Sequence, residues 1–219
     1  MADSKKQDVI DTIVQEGVVP VLRAESHEIA LQAVEALRAG GIGVVEVTMT
    51  VPGAVELIAR LNSEIGGECL IGAGTVLDER VAARCVDAGA RFIVSPALNV
   101  ATIEFCNTRD IPVLPGAFTP TEVLTAWNAG ADMVKLFPAG AGGGPSYLKS
   151  LRAPLPEVKF VPTGGVSLEN AGDYIRAGAM AIGIGADLVD TKAIRAGNAK
   201  VVTEQAKRYL AAVSAARSR

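Results

Sequence analysis

The sequence predicts one α/β domain, a single (β/α)8 (TIM) barrel with an extra N-terminal helix, and three observations carry that reading. An Ala-Gly pair ends a helical stretch and precedes an apolar run four times: Ala39-Gly40 before GIGVVEV, Ala88-Gly89 before ARFIVSP, Ala129-Gly130 before ADMVKL and Ala177-Gly178 before AMAIGIG. A glycine just past a helix supplies the left-handed cap, and the β-branched run after it is the next strand. The phrase recurs at roughly 40–50 residues, too long for one βα unit and right for two. Secondly, four further apolar runs fall between these: Gly17–Leu22, Cys69–Gly72, Ile111–Leu114 and Val158–Val161. Thirdly, amphipathic stretches such as Ser26–Ala39, Pro52–Ile65, Asp78–Ala88, Pro120–Ala129 and Leu168–Ala177 follow the runs, giving eight alternating βα units in a chain of 219 residues.

No G-x-G-x-x-G follows the first strand, so an open doubly wound sheet is the weaker alternative. Residues 1–219 read as one domain, with an N-terminal helix over 5–15, the barrel over 17–190 and a terminal helix over 193–215. Asp78 fits a helix N-cap and Asp132 the start of a strand, while Ser167 is available to cap the helix after the seventh strand. Trp127 and Tyr174 sit at helical spacing and read as packing residues.

Composition narrows the function classes. Hydrophobic residues make up 49% of the chain, enough for a sizeable core, while the net charge is −3 and no basic stripe occurs. With only 4% aromatics there is no stacking platform for bases, so nucleic acid is not expected as a partner. Cys69, Cys85 and Cys106 lack C-x-x-C spacing and read as buried free thiols of a reducing compartment. Residues 1–15 are charged and hold no signal-type apolar run, and no stretch reaches membrane-spanning length, so a cytoplasmic protein without a membrane partner is expected. The single histidine, His27, falls in a polar helix start and reads as a solvated surface residue; no metal site is expected.

The charged residues inside apolar strands carry the chemistry. Lys135 lies in Met133-Val134-Lys135-Leu136-Phe137, closed by Pro138. An ammonium without a partner in a buried strand costs free energy or gives up its proton, and a neutral amine attacks carbonyls. A lysine snorkelling from the strand end, or paired with a carboxylate, fits the same position. Glu46, in Val44-Val45-Glu46-Val47-Thr48, occupies the equivalent place in another of the four repeated strands. A carboxylate beside an amine supplies a base and a nucleophile, the minimum for imine chemistry, although a structural ion pair has the same pattern. Lys159 competes, but it follows the loop-like PLPE and begins its strand on the opposite face.

Other candidates cluster at strand ends. Thr163-Gly164-Gly165 and Gly183-Ile184-Gly185-Ala186 are glycine-rich turns after the seventh and eighth strands, where barrels of this kind cradle phosphate; tight turns without a ligand need glycine equally. Thr75 closes Gly72-Ala73-Gly74-Thr75 and can offer a hydroxyl, and Arg23 ends the first strand with a planar fork suited to carboxylate or phosphate.

Taken in order, GVVPVLR, VVEVTMTVPGA, IGAGTVL, FIVSPALN, LPGAFTPTE, VKLFPAG and FVPTGGVSLENAGDYIRAGAMAIGIGADLV resemble the family of 2-keto-3-deoxy-6-phosphogluconate (KDPG) aldolases and 4-hydroxy-2-oxoglutarate aldolases, from Gly17 to Val189. The resemblance implies a homotrimeric class I aldolase that needs no metal or cofactor. Matched motif by motif, it makes Lys135 the imine-forming nucleophile and Glu46 the general acid–base. It puts Thr75 and Thr163 near the pyruvyl part of the substrate, lets Pro96 and Phe137 shape the pocket, and assigns phosphate to Gly164, Gly165, Gly185 and Ala186. Two positions depart from the pattern. Thr50 stands where some members carry a carboxylate-binding arginine, which leaves Arg23 or backbone amides for that task, and Ala186 stands where members often carry serine. The implied reaction is cleavage of KDPG to pyruvate and glyceraldehyde 3-phosphate. Cleavage of 4-hydroxy-2-oxoglutarate to pyruvate and glyoxylate is the alternative, and a sugar-phosphate isomerase or epimerase using Glu46 as base is a more distant one.

Overall fold

A computed structural model describes residues 6–218. Its strands, in chain order, are β1 (Val18–Leu22), β2 (Val44–Thr48), β3 (Leu70–Gly74), β4 (Ile93–Val94), β5 (Val113–Leu114), β6 (Gly116–Ala117), β7 (Val134–Leu136), β8 (Phe160–Pro162) and β9 (Ile182–Ile184). The helices between and around them are α1 (Lys6–Glu16), α2 (His27–Ala39), α3 (Ala54–Ile65), α4 (Glu79–Asp87), α5 (Val100–Thr108), α6 (Pro120–Asn128), α7 (Pro145–Arg152), α8 (Ala171–Arg176), α9 (Thr191–Arg195) and α10 (Lys200–Arg217).

The fold is α/β with a curved parallel sheet. One six-stranded sheet runs β5-β4-β3-β2-β1-β9 and a three-stranded sheet runs β6-β7-β8, all pairs parallel. The fifth strand expected over Ile111–Leu114 is not continuous with its extension: Pro115 separates β5, which pairs with β4, from β6, which pairs with β7. Proline has no N–H to give to a ladder, so the sheet breaks there. On the other side, a single bridge joins Thr163, just past β8, to Gly183 of β9.

Side chains alternate across each strand, and two apolar cores result. The larger one lies between strands and helices. The smaller one lies on the other face of the strands, where Val19, Val44, Val94, Leu114 and Val161 pack with Val9, Ile10 and Ile13 of α1. That packing explains α1: its apolar stripe covers the floor of the strand interior. The expected start of this helix at residue 5 lies outside the described residues.

Helix starts follow local chemistry. Ser26, Asp78 and Asn99 each accept a hydrogen bond from the backbone N–H three residues on, and Thr119 with Glu122 forms a capping box before α6. Three expectations need correcting. Ser167 does not cap α8; its N–H donates to Asn170 Oδ1 (2.9 Å), and the helix begins only at Ala171 because residues 167–170 are spent on that turn. His27 is not merely solvated: its Nε2 lies 2.9 Å from Pro52 O and 3.1 Å from Gly53 O, pinning the left-handed turn before α3. The terminal helix expected over 193–215 is divided into α9 and α10, with Gly197 at φ 76° in the break. Asp132 accepts from Val113 N–H and pairs with Lys6, joining a strand start to α1.

The cysteines are buried and free, and burial pushes Cys69 and Cys106 up to about 12 and Cys85 up to about 11, so none is a ready thiolate. No described helix is long and apolar enough to cross a membrane.

Glu16, at the end of α1, accepts hydrogen bonds from Gly43 N–H (2.9 Å) and Val44 N–H (3.0 Å). Burial outweighs those two bonds and raises its carboxyl from 4.5 to about 7. A carboxyl raised on folding contributes stability that is fully present below its unfolded value and is lost as pH rises through its folded value. Unfolding free energy is therefore expected to fall between about pH 5 and 8, and Glu16→Gln should flatten that slope even while lowering stability overall. Denaturant melts at three pH values measure it; an unchanged slope in the variant would assign the dependence to another group.

Candidate active site

Further along the strands from the apolar floor, the same inner face turns polar. Val44 is followed on that face by Glu46 and Thr48, Met133 by Lys135, and Val161 by Thr163. Glu46 is 2% exposed and Lys135 3%. They stand on β2 and β7, which are not neighbours in either sheet, and meet across the interior with Lys135 Nζ 3.8 Å from Glu46 Oε1. Both occupy the middle of their strands, one step above the floor.

Glycines make the space. Glu46 is in register with Gly72, and a Cβ on Gly74 would lie 1.8 Å from Glu46 Oε1. Gly116 is in register with Lys135, and a Cβ there would fall 2.3 Å from the Pro96 carbonyl. Gly183 is in the same position toward Thr163 Oγ1, at 2.2 Å. Inner-face glycines on β3, β6 and β9 thus let one carboxylate, one proline and one threonine occupy the interior. Among the described residues Glu46 Oε1 has no hydrogen-bond partner. A buried carboxylate oxygen with a spare lone pair beside an amine is poised to accept a proton from something placed between them.

The remaining candidates fall at or just beyond the ends of the strands. Phe137 lies two residues beyond Lys135, its ring centroid 5.2 Å from Nζ, a cation–π distance. Thr75 follows β3 with φ 59°, a conformation that costs a β-branched residue about 1–3 kcal/mol. It is held there by backbone bonds on both sides, Met49 N–H to Gly74 O and Val76 N–H to Val94 O. Thr50 is exposed, and its hydroxyl sits 2.6 Å from Thr48 Oγ1. Thr48 spends its only proton on Leu22 O (3.0 Å), so Thr50 is the donor in that contact.

Arg23, Phe137, Thr163, Gly164, Gly165, Gly185 and Ala186 line one cavity of about 330 Å³. Arg23 reaches over the second glycine turn, its Nη1 3.1 Å from where a Gly185 Cβ would be. Gly164 and Gly165 both have φ 81°, and a Cβ on Gly165 would lie 2.8 Å from Gly140 Cα, so the close approach of that loop demands glycine independently of any ligand. No helix opens at the glycine pair, since α8 starts only at Ala171. Asp187 on the cavity lining, and Gly74, were not singled out in the sequence; alternation from Gly72 marks Gly74, but nothing local marks Asp187. Larger grooves of about 570 and 500 Å³ lie around Glu16 and Arg38, away from the Lys135–Glu46 pair. Lys159 directly precedes β8 and Lys149 is exposed on α7; neither joins the pair.

A family model for KDPG and KHG aldolase matches residues 9–205. The chain belongs to that family. The 2-dehydro-3-deoxy-phosphogluconate aldolase of Pseudomonas aeruginosa is 39% identical over 167 residues, 76% of each chain. The KHG/KDPG aldolase of Escherichia coli is 36% identical over 190 residues, 87% of this chain and 89% of that one. Among solved structures, the KDPG aldolase of Legionella pneumophila, with pyruvate captured as a covalent carbinolamine intermediate, superimposes with a TM-score of 0.84 at 35% identity, covering 90% of this chain and 95% of that one. The KDPG and KHG aldolase family is therefore the frame in which the buried lysine–glutamate pair is to be understood.

Proposed function

We propose that this chain is a class I aldolase that reversibly cleaves KDPG to pyruvate and glyceraldehyde 3-phosphate. The single observation that carries the reading is the buried Lys135–Glu46 pair, 3.8 Å apart on the inner face of a chain belonging to this family.

Lys135 Nζ adds to the C2 ketone, and loss of water from the carbinolamine leaves a protonated imine. Glu46, whose Oε1 has no other described partner, accepts the C4 hydroxyl proton through a water molecule. The C3–C4 electron pair moves into the iminium, glyceraldehyde 3-phosphate departs, and the resulting enamine takes a proton at C3. Hydrolysis then frees pyruvate and restores the amine. The iminium is the electron sink, so the proposed steps call on no metal or other cofactor. Phe137, Pro96, Thr75 and Thr163 bound the pyruvyl end. Arg23 shares a cavity with Gly164, Gly165, Gly185 and Ala186, which supports an anion at that end and leaves backbone amides to hold the carboxylate near Thr50.

The same reading includes one domain over residues 1–219 whose strands close into a (β/α)8 barrel; the Thr163–Gly183 bridge and the unbroken chain through Pro115 support closure. It also includes a homotrimer, which light scattering reports directly, and a cytoplasmic location, supported by three buried reduced cysteines.

The test is a steady-state comparison of phosphorylated and unphosphorylated 2-keto acids. The phosphorylated substrate should be preferred, and Ala186→Ser should lower its KM by about tenfold or more, since a hydrogen bond to a charged group is worth about 1.5–3 kcal/mol. Equal kcat/KM for both substrates would remove the phosphate assignment and favour 4-hydroxy-2-oxoglutarate as the substrate.

A further inference from the structure

The aspartate on the cavity lining is at odds with an anionic ligand, and the hydroxyl bonded to its carboxylate points to how the conflict is managed. Asp187 follows Ala186 directly and lines the same cavity as Arg23 and the two glycine turns. Its Oδ2 accepts a hydrogen bond from Tyr209 OH of α10. Tyr209 is fully buried and packs in the core between strands and helices, so its hydroxyl is a fixed point. The same helix contacts the aspartate a second time, Gln205 Nε2 donating to Asp187 O at 3.4 Å. Within the turn, Leu188 and Val189 N–H both donate to Gly185 O, so the backbone of 185–189 is already closed on itself. What the tyrosine adds is control of one carboxylate.

We propose that Tyr209 is a positioning residue for the distal-anion end of the site: its hydroxyl holds the Asp187 carboxylate against α10 and away from the position an anion occupies. This rests on the phosphate assignment proposed above. Two unit negative charges at close range in a partly enclosed cavity repel strongly, and the repulsion grows as they approach. Released from its donor, the Asp187 side chain is free to rotate about its own torsions toward Arg23, which lines the same cavity, and so to compete with the substrate phosphate for it. Burial and the neighbouring Asp187 both hold the Tyr209 phenol above its ordinary range, so it remains a donor at any working pH.

The experiment is a two-by-two set, Tyr209→Phe with and without Asp187→Asn, assayed on KDPG and on its unphosphorylated counterpart. Tyr209→Phe should raise KM for KDPG by about three- to tenfold with kcat unchanged, and leave both constants of the unphosphorylated substrate unchanged. In the Asp187→Asn background the same substitution should change KM for KDPG by less than about twofold, because the charge to be restrained is gone. A loss shared by both substrates, or an equal rise in KM in the Asn background, would overturn the inference while leaving the phosphate assignment intact. Absence of any preference for KDPG in the parent would remove the assignment itself, and the inference with it. Should Tyr209→Phe fail to fold, Asp187→Glu and Asp187→Asn decide: the longer carboxylate, no longer seated on the fixed hydroxyl, should raise KM for KDPG about threefold or more, while the neutral amide leaves it within about twofold of the parent, and equal KM values in the two variants overturn the inference.

Discussion

Borohydride added to the protein with pyruvate should leave a single carboxyethyl adduct, on Lys135. The amine is buried on the inner face of β7, 5.2 Å from the centre of the Phe137 ring and 3.8 Å from Glu46 Oε1, and Phe137 also lines the cavity that holds Arg23 and the glycine turns. Lys135→Arg keeps the positive charge and much of the volume but cannot form an imine under these conditions. Turnover should therefore fall by about 10⁴–10⁶-fold, the scale on which loss of a covalent nucleophile acts. Peptide mapping separates the candidates. An adduct on Lys149 or Lys159, or wild-type-like turnover in the arginine variant, would remove Lys135 from the mechanism.

Changing Glu46 to Gln should lower kcat by about 10²–10⁴-fold, the usual contribution of a positioned general base. The amide has nearly the same shape, so the room made by Gly74 is still filled and the interior does not collapse. Removing one member of a buried pair is also destabilising, by about 3–5 kcal/mol in known cases, so the kinetics must be read at a temperature where the variant is folded. Imine trapping with pyruvate should survive in part, since the attack at C2 belongs to Lys135. Turnover within a few-fold of the parent would make Glu46 a structural partner only, and the base would have to be sought among Thr75, Thr163 and bound water.

Much of this site is legible along the chain because it is written in short-range patterns. A charge inside an apolar run is conspicuous in one dimension, and period-two alternation says which neighbours share its face. Both Lys135 and Glu46 stand out in this way, and the Ala-Gly repeats place them in equivalent strands. The glycine turns are equally visible, although their meaning is divided: the φ values of Gly164 and Gly165 and the approach of Gly140 are enough to require glycine there. Other features depend on competition between local interactions. Ser167 is a residue type that caps helices, yet Asn170 draws its N–H into a turn and delays α8. Pro115 divides β5 from β6, because a residue without an N–H interrupts a ladder wherever it falls.

Long-range relations are of another kind. That Glu46 and Lys135 approach to 3.8 Å depends on two non-adjacent strands curving toward each other, which no spacing along the chain encodes. Gly74 is simply one more glycine until the Glu46 carboxylate is seen to fill the place of its missing side chain. Tyr209 and Asp187 lie 22 residues apart, on a terminal helix and a strand-to-helix turn, and packing brings hydroxyl to carboxylate. Composition, alternation and capping are properties of neighbours, so the sequence alone specified the α/β class, the order of elements and the charged residues buried within them. Distances across the interior are set by sheet curvature and side-chain packing summed over the whole domain, and so the pairing of those residues, the space between them and the restraint on Asp187 belong to the folded structure.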